Sequence, residues 1–489
     1  MKQYPLIQKT ASKIAVDYCR LSIVRNLDGF LAMDEVAHTL KEACGLTVVR
    51  GTNLALRIHY ELDYKQSESE HFVYLSDYPE DMVPDMKAEA YMVDFNVADL
   101  LPIFANKSLL KGLNLEELTM LYNKVANRRV AMMECNYIVA DVKRVVAEQY
   151  QMSVAHFRER LQQLSVDWAS SPQQTVEALS EIMVEAVKCG VYEELEAQMQ
   201  PINQAFQMWV DQSYFAQLNS NHLLRSKSVN KVLPYIEEKH QPDDKVALVV
   251  IDGLAYWQYS VLQKHLLDAC IKTKDNHIFA WIPTITMLSR QAIFRGDVPV
   301  QDYKQSPQSE QKLWTDFWSS HGISRYALQY ISDKDEFAIN EGIKRLAYVT
   351  VEMDEKMHSS SDYKDLLSLT ENWCSRIIEK IKAMHSLGYT IYLTTDHGSV
   401  LSQGWQVISA IDKVFLYKDG SRGKRHLIFN ETEEKRNFCN RHEGEIALLS
   451  RDKWLAVRSN QCFEREGQQI ITHGGSHFWE VVIPFITLE

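Results

Sequence analysis

The chain is 489 residues long, 46% hydrophobic and 24% charged, which is the composition of an ordinary globular protein of several domains. Its formal charge of −12 excludes a generally basic nucleic-acid coat, and its eight cysteines, none in a C-x-x-C pair, exclude a zinc ribbon or a disulfide scaffold. The N-terminal segment lacks the apolar core of a signal peptide and the longest apolar run, Val246 to Ile251, is too short to span a bilayer, so a cytoplasmic, non-membrane protein is expected.

In chain order, residues 1–110 read as a small α/β domain. Leu56, Ile58, Tyr60 and Leu62 alternate with Arg57, His59, Glu61 and Asp63, a period of two that predicts a strand, and Phe72 to Leu75 predicts a second. Residues 111–235 read as a helical domain. Asn114 and Glu117 have the spacing of a capping box ahead of an apolar stripe at Leu118, Leu121, Tyr122 and Val125. Ser171, Pro172 and Gly190 punctuate a second helix with its stripe at Val176, Leu179, Met183 and Val187. Pro201 is expected to break the next helix, and Met208, Trp209, Tyr214 and Phe215 to pack within a helical bundle. The polar stretch 226–244, with Pro234 and Pro242, leads into residues 236–489. There, strands alternating with helices predict an α/β domain with a mainly parallel sheet flanked by helices.

Four segments of this last domain share one layout, a buried strand ending in polar residues able to bind metal. Val246–Ile251 ends at Asp252 and Gly253; Ile278–Ile282 runs into Pro283, Thr284, Ile285 and Thr286. Tyr348–Val351 leads to Asp354 and His358, and Thr390–Leu393 to Thr394, Thr395, Asp396, His397 and Gly398. In a parallel sheet the carboxyl ends of the strands lie on one edge, where these tips would converge. His473 and His477 near the C-terminus offer two further imidazoles. Aspartate and histidine without cysteine suit zinc or manganese, and two such ions would polarise a phosphoryl oxygen and activate a threonine hydroxyl. The set points to phosphoryl or sulfuryl transfer through a metal-bound threonine.

On the ordered motifs LVVIDGL, IPTITMLSR, VEMDEKMH, LTTDHGS and THGGSHFWE, residues 235–489 resemble the alkaline phosphatase superfamily and, within it, the PglZ family of bacterial phage-defence (BREX-type) systems. The resemblance implies two divalent metal ions, zinc first and manganese second. It implies Asp252, Thr286, Asp396 and His397 at one site and Asp354, His358 and His473 at the other. Thr286, the last residue of Pro-Thr-x-Thr, takes the nucleophile's place rather than Thr284; His473 is preferred to His477 because it opens the His-Gly-Gly stretch. Nucleotide pyrophosphatase relatives carry an asparagine shortly after the nucleophile, and here Met287, Leu288 and Ser289 stand instead. Arg290 is the neighbouring candidate for a catalytic phosphate contact, with a loop-supporting salt bridge as the equal alternative.

The resemblance implies a phosphodiesterase or phosphatase acting on nucleotides or oligonucleotides, with other proteins of a defence complex as partners. The alternative is a catalytically weak or inactive scaffold that docks those partners. Trp314, Phe317 and Trp318 have the i, i+3, i+4 spacing of the buried face of a lid helix, and otherwise of a base-stacking surface. Arg422, Lys424, Arg425 and His426 read as a solvated hairpin tip. The first 230 residues offer no ligand and are expected to dock partner proteins.

Overall fold

Side chains alternating between two cores build a four-stranded parallel sheet in the N-terminal part of the computed structural model. The structure describes residues 5–67, 69–102, 104–125, 128–218, 227–300, 303–417 and 423–488. The strands β1 (Leu21–Asn26), β2 (Leu46–Arg50), β3 (His71–Leu75) and β4 (Ala90–Phe95) are ordered β2-β3-β1-β4. Leu21, Ile23, Phe72 and Tyr74 face one core, while Val24 and Val73 face the other with Leu6, Phe30 and Leu118.

Helix Asn53–Leu62 occupies the place of the strand expected there. The period of two arises from two i, i+4 ladders set two positions apart. At 3.6 residues per turn such ladders lie on roughly opposite helix faces. Leu56 and Tyr60 enter the core; Leu54, Ile58 and Leu62 are exposed. Thr52 fixes the start of this helix by accepting a hydrogen bond from the Ala55 N–H at 3.3 Å.

The described residues group into two compact units, Met1–Met152 and Ser153–Glu489, and the division falls within helix Met132–Gln163. The helical stretch 111–235 is therefore shared out rather than separate. Helix Leu115–Val125 gives Leu118, Leu121 and Val125 to the first unit's core, and its Asn114–Glu117 capping box forms with reciprocal bonds of 2.8 and 3.0 Å. Helices Pro172–Lys188 and Glu196–Trp209 belong to the second unit. Asn203 donates to the Arg458 carbonyl at 2.8 Å and Gln207 to the Ser476 carbonyl at 2.6 Å.

Pro201 lies inside helix Glu196–Trp209 rather than ending it. It stands in the second turn, so its missing N–H costs one i→i−4 bond, to the Ala197 carbonyl. Trp209 and Tyr214 pack against Phe279 rather than within a bundle of their own. Of the stretch 226–244, Ser226 lies outside the described residues, and Val232–Lys239 is a helix with Val232, Leu233 and Ile236 buried.

The second unit's strands are β5 (Val246–Ile251), β6 (Thr273–Lys274), β7 (His277–Phe279), β8 (Leu328–Ser332), β9 (Arg345–Thr350) and β10 (Thr390–Thr394). They continue with β11 (Val400–Gly404), β12 (His426–Ile428), β13 (Leu448–Arg451), β14 (Trp454–Val457), β15 (Gln461–Cys462), β16 (Gln469–Thr472) and β17 (Val482–Leu488). The main sheet runs β6-β17-β10-β5-β9-β8, with β10, β5, β9 and β8 parallel and β17 antiparallel. Strand β7 pairs antiparallel with β17 and so points the same way as the parallel core. Smaller sheets β15-β11-β16 and β12-β14-β13 complete the unit. Trp314 and Trp318 are buried in the main core with Phe294 and Tyr330, so they offer no base-stacking surface. Among the described residues no helix is long and apolar enough to cross a membrane.

Candidate metal centre

The parallel register fixes which tips meet. Thr394 pairs with Val250, and Val250 with Val349, so the ends of β10, β5 and β9 lie side by side. Asp252 follows β5, Asp396 and His397 follow β10, and Asp354 and His358 stand on helix Glu352–Ser359 just after β9. Their i, i+4 spacing places both on one helix face, with His358 Nε2 3.5 Å from Asp354 Oδ2. Gly253 makes the approach possible. Its φ is +75°, and a Cβ there would stand 3.2 Å from both Cα and Cβ of Asp354.

Thr286 is the first residue of helix Thr286–Arg295, and its Oγ1 lies 3.1 Å from His397 Nε2. His473 follows β16 and stacks face to face on His397, with ring centroids 3.7 Å apart. The two imidazoles are oriented alike. His397 Nδ1 is 3.1 Å from the Gly398 carbonyl and His473 Nδ1 is 2.7 Å from the Thr284 carbonyl. A carbonyl only accepts, so each Nδ1 carries a proton and each Nε2 faces the carboxylates. His397 Nε2 is 3.5 Å from Asp252 Oδ1 and 3.7 Å from Asp396 Oδ2; His473 Nε2 is 3.8 Å from Asp354 Oδ1.

The donor atoms form two groups, Asp354, His358 and His473 in one and Asp252, Asp354 and His397 in the other, with Asp354 common to both. Their fit to cations shows in what the carboxylates lack. Asp252 Oδ1, Asp354 Oδ1 and Asp396 Oδ2 are buried without a hydrogen-bond partner. Buried polar atoms are ordinarily paired, and an unpaired carboxylate oxygen costs several kcal/mol unless a cation or proton meets it. Burial, and next the Asp252 charge, push the Asp354 carboxyl up to about 7. The same two causes hold Asp396 well above the usual carboxylate range. Burial depresses His473 far below the ordinary imidazole value and lowers His358 as well, which keeps both neutral and free to ligate. Aspartate and neutral imidazole donors without thiolate suit zinc or manganese.

Arg290 is buried, with Nη1 2.8 Å from Asp252 Oδ2 and Nη2 2.6 Å from Glu310 Oε2. Burial lowers its pKa, but the Glu310 and Asp252 charges reverse this and raise it well above the ordinary value. In this arrangement Arg290 is a salt bridge holding the loop, with both terminal nitrogens committed to carboxylates. Asp396 Oδ1 accepts from the Gly253 and His397 N–H groups at 3.1 and 3.0 Å, which fixes Asp396 and leaves Oδ2 free.

Thr284, Asp396 and His477 lie outside the two donor groups, although Asp396 Oδ2 borders one of them at 3.7 Å from His397 Nε2. Thr284 Oγ1 accepts from the Gly474 N–H at 3.0 Å, and His477 caps helix Phe478–Val481 through a 3.2 Å bond from the Trp479 N–H. Arg425 is fully buried in an ion pair with Glu480, not at a solvated tip. His426 is also buried, Lys424 pairs with Glu464, and Arg422 lies outside the described residues.

Two supporting carboxylates escaped the sequence reading. Glu310 shares a helix face with Trp314 and Trp318 at i, i+4 and i+8, and Glu480 interrupts the apolar run from Phe478 to Ile483. A carboxylate set in an apolar face or run is the signal that marks burial.

A family model covers most of the second unit. The model of the BREX system PglZ alkaline phosphatase-like domain matches residues 230–488, more than half of the chain. No curated protein matches. Murine ectonucleotide pyrophosphatase/phosphodiesterase 5 is similar over 50% of this chain and 88% of its own, at 13% identity and a TM-score of 0.37. Phosphonoacetate hydrolase from Sinorhizobium meliloti, solved with phosphonoacetate, covers 50% of this chain and 90% of its own at 12% identity and a TM-score of 0.33. With strand tips, motif order and matched span in agreement, the chain belongs to the PglZ family and carries its alkaline phosphatase-like domain.

Proposed function

We propose that the chain is a metal-dependent phosphoryl-transfer hydrolase with Thr286 as its nucleophile and two divalent cations, zinc or manganese, held by Asp252, Asp354, His358, Asp396, His397 and His473. One observation carries the reading: Thr286 Oγ1, 3.1 Å from His397 Nε2, opens a helix beside three carboxylate oxygens that have no partner. Bound cations would supply Lewis-acid stabilisation of phosphoryl oxygens and would favour an ionised hydroxyl. The protein's own part is positional. Helix Thr286–Arg295 would offer its N-terminal N–H groups to an incoming anion, and Thr286 stands at its first position. Arg290, tied between Asp252 and Glu310, keeps Asp252 turned into the site rather than meeting the phosphate itself. The substrate class we infer is a nucleotide or oligonucleotide phosphoester. The family's BREX description supports a role beside partner proteins in phage defence.

Hydrolysis of bis-(p-nitrophenyl) phosphate and p-nitrophenyl phosphate, with added zinc or manganese and after chelation, tests the reading. Activity that needs metal and disappears in Thr286→Ala supports it; activity that survives EDTA or this substitution overturns it. The engagement of Arg290 by two carboxylates favours a second reading, a weak or inactive centre kept as a scaffold. Metal-loaded protein that turns over neither ester nor oligonucleotides would establish that one.

A further inference from the structure

The loop that delivers His473 is held from behind by a single carboxylate. Glu480 is fully buried and takes four N–H donors. Its Oε1 accepts from the Gly475 N–H at 2.8 Å and Arg425 Nε at 3.1 Å, and lies 3.3 Å from Thr284 Oγ1, whose one proton has the Gly475 carbonyl as its nearer acceptor at 3.0 Å. Its Oε2 accepts from Arg425 Nη2 at 2.9 Å and the His477 N–H at 3.0 Å. The fit is close: a Cβ on Gly475 would stand 2.6 Å from Arg425 Nη2 and 2.8 Å from Glu480 Oε2. Thr284, held by the Gly475 carbonyl and by the Gly474 N–H, presents the carbonyl that orients His473 Nδ1.

We propose that Glu480, neutralised by Arg425, is a positioning residue for His473 and thereby sets the affinity of one cation position, that of Asp354, His358 and His473, without setting the other. This rests on the metal-binding reading of the site. The relay runs from Glu480 through Gly475 and then Thr284 to the ring of His473, and residues behind metal ligands commonly govern affinity in this way. The other position is secured differently. Asp252 is held by Arg290, Asp396 by the Gly253 and His397 N–H groups, and His397 by the Gly398 carbonyl. None of these bonds uses the Glu480 side chain.

The test is a Co2+ titration of the full-length, metal-stripped chain, read as visible ligand-field absorption and as Co2+ per chain after dialysis. Wild type should take up two equivalents. Glu480→Gln should keep the first at wild-type affinity and bind the second roughly 10- to 100-fold more weakly. Thr284→Val breaks the same relay while leaving the Arg425–Glu480 pair intact, and should show the same selective loss if Glu480→Gln does not fold. Two equivalents at wild-type affinity in a folded variant would overturn the positioning role alone, and equal weakening of both would overturn its selectivity. A wild-type chain that takes up no Co2+ would remove this proposal together with the metal reading on which it stands.

Discussion

The two halves of the candidate centre are built on different principles. Asp252, Asp396 and His397 are 3%, 0% and 0% exposed and come directly off two hydrogen-bonded strands. Asp354 and His358 stand on a short helix, with the His358 side chain 48% exposed, and His473 arrives on a loop braced by Glu480. The first half inherits its geometry from the sheet; the second is assembled from separately held pieces. A site of this kind pairs a rigid position beside Thr286 with one more open to adjustment.

The largest expected effect is chemical. Thr286→Ala should lower diester hydrolysis by at least about a thousandfold while metal content stays unchanged. If metal is lost as well, Thr286 belongs to the architecture of the rigid half and its role as a nucleophile is unproven. Asp396→Asn comes next. It should empty the buried position, read as metal per chain by elemental analysis, and leave uptake at the exposed position in place. Loss of both would show that the halves are not separable.

A pH experiment sharpens the contrast through Asp354, which both donor groups share. Its carboxyl is raised to about 7 in the folded protein by burial and the Asp252 charge, above an unfolded value near 3.9. A group with a raised folded pKa favours the folded state fully below the unfolded value and loses that contribution as pH rises through the folded value. The metal-free chain is therefore penalised from about pH 4 upward, with the penalty complete above about pH 7. Asp354→Asn should raise the melting temperature of metal-free protein more at pH 8 than at pH 4.5. An equal shift at both would contradict the buried-carboxylate account.

Smaller effects follow. Gly253→Ala places a Cβ 3.2 Å from Asp354 at a φ of +75° and should cost about 1–3 kcal/mol in chemical denaturation. A neutral result would mean that helix Glu352–Ser359 shifts freely. His358→Ala should weaken metal at the exposed position by about tenfold or less, because that side chain is half in water. A larger loss would place His358 on a par with the buried ligands.

Much of the second unit was legible in the sequence because its strands are continuous apolar runs closed by Asp-Gly or Asp-His-Gly, and the parallel register then placed Asp252 beside Asp396. The first unit was less so. The alternation at Leu56 to Leu62 is ambiguous when a helix carries an apolar ladder on each of two faces, one of them exposed. The helical stretch gave no sign of its division, since amphipathic stripes show that a face is buried and not against what. Arg425 and Glu480 were hidden for a related reason. Lys424-Arg425-His426 has the look of a solvated turn, and only tertiary structure brings a carboxylate from 55 positions away to neutralise its middle member.

The meeting of candidate ligands at neighbouring strand tips bears on how the protein folds. Asp252 and Asp396, 144 positions apart in the chain, meet only after β10 has zipped onto β5, and His473 joins from later still. Contacts of such long sequence separation form slowly, and no short segment can gather the ligands beforehand. A cation therefore cannot nucleate this fold as it does a zinc finger, where neighbouring ligands trap it in a few residues. Under the proposed metal binding, uptake would instead mark a completed sheet. A pulse of metal during refolding would report the last step of assembly rather than the first.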